Sequence, residues 1–309
     1  MKNLLVILGP TASGKTRLGV ELARESGAEI LSVDSRQVYR GLDIGSGKDL
    51  DEYVAGGTEV HYHLIDIVDL NVEFNVFEFQ RRFYEVFESL QARGTPTMAV
   101  GGSGLYLEAV LKAYRMVDVP VDEGLRSELQ GHSLEELTER LRELRPIHNT
   151  ADLNDRDRLV RSIEIVEYSA RHEPAPAPEI DTLVLGVHWD RTVLRQRIRD
   201  RLSTRLFGGL IEEVEGLHAG GVSWEKLSSL GLEYRFVSEY LRGEIRSSND
   251  LKQKLSSAIC AFAKRQETWF RRMQRRGVMI HWIEEGDVSE ARRVIEANGG
   301  FAGIGSRST

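Results

Sequence analysis

The sequence predicts an α/β protein in which helices flank a parallel sheet, with a helical insertion and a helical C-terminal region added to this core. Two observations support this fold class. Short apolar runs alternate with helical patterns up to about residue 115, as they do when parallel strands are buried on both faces. From about residue 120 onward, helical patterns occupy most of the chain. A chain of 309 residues is long enough for two domains.

The elements follow one another in a regular order. Apolar runs predict strands at 4–8, 30–33, 64–67, 96–100, 183–188 and 278–283. Periodic patterns predict helices at 15–25, 76–93, 103–113, 123–130, 133–145, 155–171, 190–205, 206–218 and 250–276. We therefore divide the chain into a core at 1–115, a helical insertion at 116–152, the remainder of the core with a basic helical region at 153–298, and a disordered tail at 299–309.

A phosphate-binding motif follows the first predicted strand. Residues 9–16 read GPTASGKT, which matches the G-x-x-x-x-G-K-T pattern of a P-loop between a strand and a helix. The backbone N–H groups of such a loop turn toward phosphate oxygens, and the helix N-terminus and Lys15 add favourable charge. Thr16 is placed to bind Mg²⁺. The motif predicts a P-loop NTPase-like sheet that binds a condensed phosphate, and by motif alone a nucleotide such as ATP.

Composition restricts the class of protein. The formal net charge is −7, Cys260 is the single cysteine, and no window is apolar enough to span a bilayer. We therefore expect a cytoplasmic enzyme, with no membrane partner and neither disulfides nor a cysteine-based zinc site. A monomer is the expected state.

Positive charge is concentrated in two helical stretches. The stretch 191–205 holds six arginines and one acidic residue, and the stretch 264–276 holds six lysines or arginines and one acidic residue. Such one-sided stripes predict contact with nucleic acid in spite of the negative net charge. The expected contacts in the second stripe are Lys264, Arg265, Arg271 and Arg275.

Polar residues follow two further predicted strands. Asp34 comes directly after the strand at 30–33, and a glycine-rich turn with Ser103 follows the strand at 96–100. Open α/β sheets bind ligands beyond the carboxyl ends of their strands, so both segments are expected near the phosphate site. Asp34 offers a metal-bound carboxylate or a general base, and it could also cap the next helix.

A pair of arginines opens the helix predicted at 155–171. Arg158 and Arg161 are three residues apart and share one face. They could clamp phosphate oxygens bidentately, or form a solvated face paired with Asp155 and Asp157. By contrast, His61 and His63 are expected to be structural, because no cluster of further metal ligands accompanies them.

Taken together, these segments resemble the tRNA dimethylallyltransferase family, also called tRNA isopentenyltransferases. The resemblance covers most of the chain: GPTASGKT at 9–16, DSRQVYRGLDIGSGK at 34–48, HYHLIDI at 61–67, VGGSGLYL at 100–107, NDRDRLVRSIE at 154–164 and AKRQETWF at 263–270. It implies transfer of a dimethylallyl group from dimethylallyl diphosphate to N6 of the adenine 3′ of the anticodon in tRNA, with release of diphosphate and a need for Mg²⁺.

The resemblance also implies roles for individual residues. Asp34 matches the general base, Arg201 is the candidate for the diphosphate-contacting arginine with Arg205 as the alternative, and Thr16 is the expected Mg²⁺ ligand. The diphosphate is expected to bind Gly9, Thr11, Ala12, Ser13, Gly14, Lys15 and Thr16. The target nucleotide or the anticodon stem-loop of the tRNA is expected to contact Asp34, Ser35, Arg36, Gln37, Ser103, Asp157, Arg158 and Arg161.

Three segments depart from the family pattern. Tyr62 separates two histidines that are usually adjacent, the usual Gly-Tyr-Arg/Lys segment reads GLEYR at 231–235, and the insertion is short. Alternative functions are dimethylallyl transfer to free adenylate, a small-molecule or nucleoside kinase, and a non-catalytic RNA-binding protein. The two basic stripes favour tRNA over free adenylate as the acceptor.

Overall fold

A parallel sheet forms the centre of the larger part of the molecule in the computed structural model, which describes residues 2–54, 57, 59–144, 151–302 and 304. Its strands are β1 Leu4–Leu8, β2 Glu29–Val33, β3 Tyr62–His63, β4 Thr97–Gly101, β5 Thr182–His188 and β6 His281–Glu284. They stand in the order β3-β2-β4-β1-β5-β6, and every neighbouring pair is parallel. The predicted fold class, a P-loop NTPase-like parallel sheet with flanking helices, is confirmed.

Thirteen helices are found in the described part of the chain. They are α1 Lys15–Ser26, α2 Asp51–Val54, α3 Val76–Ala92, α4 Gly104–Leu111, α5 Glu123–Leu129, α6 Leu134–Leu144, α7 Arg156–Ser169, α8 Arg191–Phe207, α9 Leu210–Ala219, α10 Trp224–Ser229, α11 Leu232–Leu241, α12 Ser248–Arg275 and α13 Val288–Ala297. A 3-10 helix spans Ala151–Asn154. The sequence patterns predicted all of the longer helices before α10, and also α12.

Alternate residues of β1 point to opposite faces of the sheet and build two cores. Leu5 and Ile7 pack with buried side chains of α1, α8 and α11, whereas Leu4, Val6 and Leu8 pack with those of α3 and α4. Both faces are covered, which explains why this strand reads as an unbroken apolar run.

The register brings several loops to one edge of the sheet. Leu8 at the end of β1 lies opposite Gly101 of β4 and Gly186 of β5, and Val33 at the end of β2 also pairs with Gly101. The loops that follow β1, β2 and β4 therefore leave the sheet at one level. This is the edge at which a ligand site was expected.

The strand predicted at 64–67 is wrong. The strand in this region is β3, only two residues long, and it ends before Leu64. Leu64 and Asp66 have φ angles of 64° and 55°, in the left-handed region that a pleated strand cannot accommodate. The apolar run still reaches the interior, because Leu64 and Ile65 are buried.

The chain divides into two compact units. The larger unit comprises 1–113 and 178–309, and the smaller unit comprises 114–177. The smaller unit has its own core, in which Leu129, Leu137 and Ile163 are fully buried. The insertion predicted at 116–152 is thus shorter than the unit found, because α7 packs against α6 instead of joining the sheet.

The start of the predicted disordered tail is ordered. Phe301 and Ile304 form an isolated antiparallel bridge and are buried in the core cluster that also includes side chains of α1 and α13. The prediction of disorder from residue 299 is therefore wrong for these residues, and the end of that segment, at 305–309, lies outside the described residues. Within the described ranges, no helix has the length and apolar character needed to cross a membrane.

Candidate active site

The P-loop connects β1 to α1 and turns its backbone toward the edge of the sheet. Gly14 has a φ of 84°, a left-handed conformation that favours glycine, and it immediately precedes the first residue of α1. Its N-cap residue, Gly14, has no side chain to cap the helix, so within the described residues the N–H groups of the first turn stay open to an anion. Lys15 reaches back over the loop and donates to the carbonyl of Pro10 at 3.3 Å.

The ammonium group of Lys15 lies in an unfavourable environment when no anion is bound. Burial is the largest cause that lowers the pKa of Lys15, and the nearby Arg201 lowers it further, to about 8. Asp34 and Asp49 partly offset this effect. A bound phosphate would provide the negative charge that this group lacks.

Three side chains that the sequence patterns did not single out for this task hold the P-loop in shape. The Gln266 side-chain oxygen accepts from the N–H of Thr11 at 2.9 Å, and its amide nitrogen donates to the carbonyl of Gly102 at 2.9 Å. Trp189 donates its indole N–H to the carbonyl of Ser13 at 2.8 Å. Arg197 donates to the carbonyl of Ala12 at 2.9 Å and stacks over the Trp189 ring at 4.1 Å.

The three side chains that hold the P-loop, which we call the braces, alter the interpretation of the basic stripe at 191–205. Arg197 and Arg201 lie on α8 in the stretch assigned from sequence to nucleic acid, yet both contact the P-loop. Arg191, Arg195 and Arg199 of the same helix are exposed. Two of the six arginines in this stretch thus contact the P-loop, on one side of the helix.

Asp34 sits at the turn after β2 and organises that turn. Its Oδ1 atom accepts from the N–H groups of Arg36 at 2.8 Å and Gln37 at 3.4 Å. The hydroxyl oxygen of Ser103, from the turn after β4, accepts from the N–H of Ser35 at 3.0 Å. The two turns predicted to meet at the edge of the sheet therefore do so.

Gln37 ties the turn after β2 to the next loop. Its amide nitrogen donates to the carbonyl of Gly47 at 2.9 Å, and its oxygen accepts from Ser32 at 2.7 Å. Further along this loop, the ammonium group of Lys48 is buried and binds Asp43, Asp66 and the carbonyl of Tyr39. This segment of the family-like motif at 34–48 is therefore largely a scaffold.

A cavity of about 230 Å³ lies between these segments, entirely within the larger unit. Most of the predicted site residues outside the smaller unit and α12 line it: Thr11, Lys15, Thr16, Asp34, Ser35, Arg36, Gln37, Ser103 and Arg201. Its other walls include Arg205, Glu233 and the apolar side chains of Leu230, Leu232, Ile259 and Phe262. Ala12, Gly14, Lys15, Thr16, Asp49, Glu52 and Arg201 are among the residues of an adjoining depression.

The predicted tRNA contacts of α12 lie outside the cavity. Lys264, Arg265, Arg271 and Arg275 are all exposed along this helix. By contrast, Arg272 and Arg276 pair with the buried carboxylate of Glu108 at 2.9 and 3.3 Å. The exposed set remains available to a polyanion.

The arginine pair predicted on α7 belongs to the smaller unit. Arg161 donates to the carbonyl of Val119 at 2.6 Å and pairs with Glu164 at 2.9 Å. Arg158 pairs with Asp155 at 3.4 Å, and Asp157 is exposed. Burial alone would raise the pKa of Glu164, but hydrogen bonds from Arg126 and Arg161 lower it to about 2. Arg161 therefore has a structural role in this unit.

Metal ligands are sparse in the described residues. No group of three or more His, Cys, Asp and Glu side chains there could hold a metal ion. The expected structural role of His63 agrees with its 2.6 Å contact to Glu29.

The sequence is similar to that of known proteins over most of its length. Residues 37–273 match the model of the IPP transferase family. Over 299 residues the chain is 58% identical to tRNA dimethylallyltransferase 1 of Geotalea uraniireducens, covering 96% of this chain and 98% of the relative. It is 55% identical to tRNA dimethylallyltransferase 1 of Syntrophus aciditrophicus over 302 residues, covering 96% of this chain and 99% of that relative.

Solved structures share the fold. The full-length tRNA isopentenylpyrophosphate transferase of Bacillus halodurans superposes with a TM-score of 0.68 at 30% identity, covering 96% of this chain and 94% of that one. A eukaryotic dimethylallyltransferase acting on tRNA superposes with a TM-score of 0.76 at 21% identity, covering 96% of this chain and 79% of that one. The matched family segment and the near-complete coverage by relatives show that this chain belongs to the IPP transferase family.

Proposed function

We propose that this chain transfers a dimethylallyl group from dimethylallyl diphosphate to N6 of the adenine 3′ of the anticodon in tRNA, and releases diphosphate. One observation carries the proposal: a single cavity has the P-loop cations, the Asp34 carboxylate and an apolar wall around it. A prenyl diphosphate has the matching charged and apolar parts. The names of the relatives in the family support the same reaction.

The phosphate end of the donor binds at the P-loop. Its oxygens accept hydrogen bonds from the open N–H groups at the start of α1 and pair with the charged groups of Lys15 and Arg201. The dimethylallyl group contacts apolar residues such as Leu230 and Ile259. Negative charge develops on the departing diphosphate as the bond between C1 and its oxygen breaks. Fixed cations at that position stabilise this charge in the transition state, which is the largest contribution expected from the protein.

Asp34 acts on the acceptor. The adenine N6 nitrogen attacks C1 of the dimethylallyl group, and Asp34 accepts the proton that this nitrogen loses. The backbone N–H groups of Arg36 and Gln37 hold the carboxylate in place. Because an exocyclic amine is a weak nucleophile, its alignment matters as much as proton removal. The target base must leave its stack in the anticodon loop to enter the cavity.

Mg²⁺ fits the residues around the P-loop. Mg²⁺ prefers oxygen ligands and usually combines one or two protein groups with phosphate oxygens and water. Thr16 offers a hydroxyl beside Glu52, which has a buried carboxylate oxygen without a hydrogen-bond partner in the described structure. When bound, the ion would neutralise charge on the diphosphate. Thr16 is the residue that we expect to hold it.

The exposed cations of α12 provide the tRNA surface in this proposal. Lys264, Arg265, Arg271 and Arg275 would contact the phosphate backbone and give salt-dependent binding. The cytoplasmic location and the monomeric state expected from sequence stay predictions.

A transfer assay tests the function. The purified protein is incubated with Mg²⁺, labelled dimethylallyl diphosphate and either unmodified tRNA with adenine 3′ of the anticodon or free AMP. We expect label on the tRNA, mapped to that adenine and lost when the base is changed. Label on AMP alone would identify a nucleotide prenyltransferase, and ATP turnover without prenyl transfer would favour a kinase.

The role of Asp34 is tested with Asp34→Asn. The new amide oxygen can still accept from the N–H of Arg36, so the turn is retained while the base is lost. We expect the transfer rate to fall by about 100-fold or more, with tRNA affinity unchanged. Asp51→Asn, at an exposed position, is the matched control for charge. Near-normal turnover of Asp34→Asn would remove Asp34 as the base.

A further inference from the structure

Arg205 is a buried cation that the reaction above does not use. Its side chain is 11% exposed, it lines the cavity, and its Nη2 atom is buried without a hydrogen-bond partner in the part of the chain that the structure describes. The nearest carboxylate oxygens are those of Asp49, 3.6 Å from Nη2, and Glu233, 3.9 Å from Nη1. Buried guanidinium groups normally have their hydrogen bonds satisfied.

Asp49 lies between two guanidinium groups. Its Oδ2 atom binds Nη2 of Arg201, and its Oδ1 atom is the one that faces Arg205. Each oxygen of the carboxylate thus faces a different arginine, as two oxygens of a phosphate group would. Asp49 itself has a φ of 45°, in the left-handed region that side chains other than glycine seldom adopt.

Gly47 provides the room for this arrangement. A Cβ atom added there would overlap Nη2 of Arg205 and would lie 2.8 Å from Nη2 of Arg201. Both guanidinium groups therefore converge on one point of the backbone. The carbonyl of the same residue accepts the hydrogen bond from Gln37, which keeps this segment next to the turn of Asp34.

The cluster carries an excess of positive charge. Burial is the largest cause that raises the pKa of Glu233 and so favours its neutral form. Asp49 is then the carboxylate that Arg201 and Arg205 share, and Lys15 lines the same cavity. Adjacent like charges repel unless an anion lies between them. A diphosphate would supply more negative charge than a single carboxylate does.

We propose that Arg201 and Arg205 form a paired clamp for the diphosphate of the donor, and that Asp49 occupies this clamp until the diphosphate replaces it. The inference rests on the proposed function and extends it, because it adds a second arginine and an internal competitor to the donor site. Arg205 and Asp49 are then residues that set the affinity for the donor.

The clamp is tested by calorimetric titration of the free protein with inorganic diphosphate and Mg²⁺. Arg205→Met should weaken binding by about 10- to 100-fold, the range for a lost charge-assisted hydrogen bond. Arg199→Met removes the same charge from an exposed position of the same helix and should change the affinity by less than about twofold. An unchanged affinity of Arg205→Met would overturn the clamp.

The competitor is tested with Asp49→Asn. Loss of the carboxylate charge should tighten diphosphate binding by about 3- to 10-fold, whereas Asp51→Asn in the exposed first turn of α2 should leave it unchanged. Weaker binding by Asp49→Asn would overturn the role of Asp49 as a stand-in. If Arg205→Met fails to fold, Arg205→Lys takes its place in the titration. This variant keeps the positive charge but loses the paired donors of the guanidinium group, so it should weaken diphosphate binding by an intermediate factor. A wild-type affinity of Arg205→Lys would overturn the clamp.

The outcome is distinguishable from failure of the proposed function. Diphosphate binding is measured without tRNA, so it reports on the clamp even if the acceptor is not tRNA. Conversely, a protein that labels tRNA while Arg205→Met binds diphosphate normally would keep its function and lose the clamp.

Discussion

Lys15 should lower the stability of the folded protein, although it is expected to be essential for binding the donor. The pKa of Lys15 is lowered to about 8, chiefly by burial, whereas the unfolded chain has the ordinary value of 10.5. Folding therefore disfavours the charged ammonium group. Lys15→Met keeps most of the length of the side chain and removes this cost.

The magnitude and its pH dependence follow from the two pKa values. One pKa unit corresponds to about 1.4 kcal/mol, so a shift from 10.5 to about 8 costs about 3.5 kcal/mol at most at neutral pH. The side chain retains some solvent contact through the cavity, and we therefore expect Lys15→Met to raise the free energy of unfolding by about 2 kcal/mol at pH 7. The cost is fully present below pH 8 and disappears as the pH rises from 8 to 10.5, so the variant and the wild type should converge there.

Urea denaturation at pH 7 and pH 10 measures this difference. Lys252→Met, which removes an exposed lysine from α12, should stay within about 0.5 kcal/mol of the wild type at both pH values. Lys15→Met should bind inorganic diphosphate much more weakly in spite of its higher stability. A variant that is less stable than the wild type at pH 7, or a difference that does not shrink by pH 10, would refute the reasoning.

Three further predictions concern the braces, the loop and the RNA surface. Gln266→Leu removes two hydrogen bonds and leaves buried backbone groups unpaired, so it should lower the free energy of unfolding by about 2 kcal/mol in urea denaturation. A decrease in that free energy of less than about 0.5 kcal/mol would contradict the bracing role. Gly47 has a φ of 68°, and a Cβ atom at this position would displace Arg205. Gly47→Ala should therefore weaken diphosphate binding by about tenfold in calorimetry, and wild-type affinity would show that the loop adapts. The double variant Arg271→Glu, Arg275→Glu should weaken tRNA binding in filter assays. It should also reduce the slope of log affinity against log salt concentration by about 2. An unchanged slope would mean that this face of α12 binds something other than RNA.

The parts of the site that local sequence defines were predictable. The P-loop is contiguous, and its strand and helix flank it directly, so pattern and context together indicate the phosphate site. Asp34 and Ser103 were placed near it by topology alone, because parallel strands bring their carboxyl ends to one edge. The contact between Ser103 and the backbone of Ser35 confirms that placement.

The braces could not be predicted in the same way. Trp189 lies directly after β5, and Arg197 and Gln266 lie on α8 and α12. All three act through the packing of these segments on the loop, and their sequence separations from it run from 176 to 255 residues. Within the helical pattern, Arg197 looks like its exposed neighbours. The signal for Gln266 was its place in the motif at 263–270, which indicated importance without indicating a partner.

Two errors in the fold have local causes. The apolar run after His63 reads as a strand, but left-handed residues break it, and a pattern of hydrophobicity does not report φ angles. The helix α7 has an apolar stripe that could pack on any surface, and the partner it found is α6. Amphipathic periodicity predicts that a face is buried without specifying which core receives it.

The bond between Gln266 and Thr11 has a consequence for synthesis of the chain. The two residues are 255 positions apart, so the P-loop is made long before the helix that completes its shape. At typical elongation rates of about 5–20 residues per second, the interval is on the order of 10–50 s. During that time the nascent chain carries the whole phosphate-binding motif without its brace. A fragment that ends before α12 would therefore keep the motif and lack the finished donor site, so the presence of the motif in a truncated product says little about its capacity to bind.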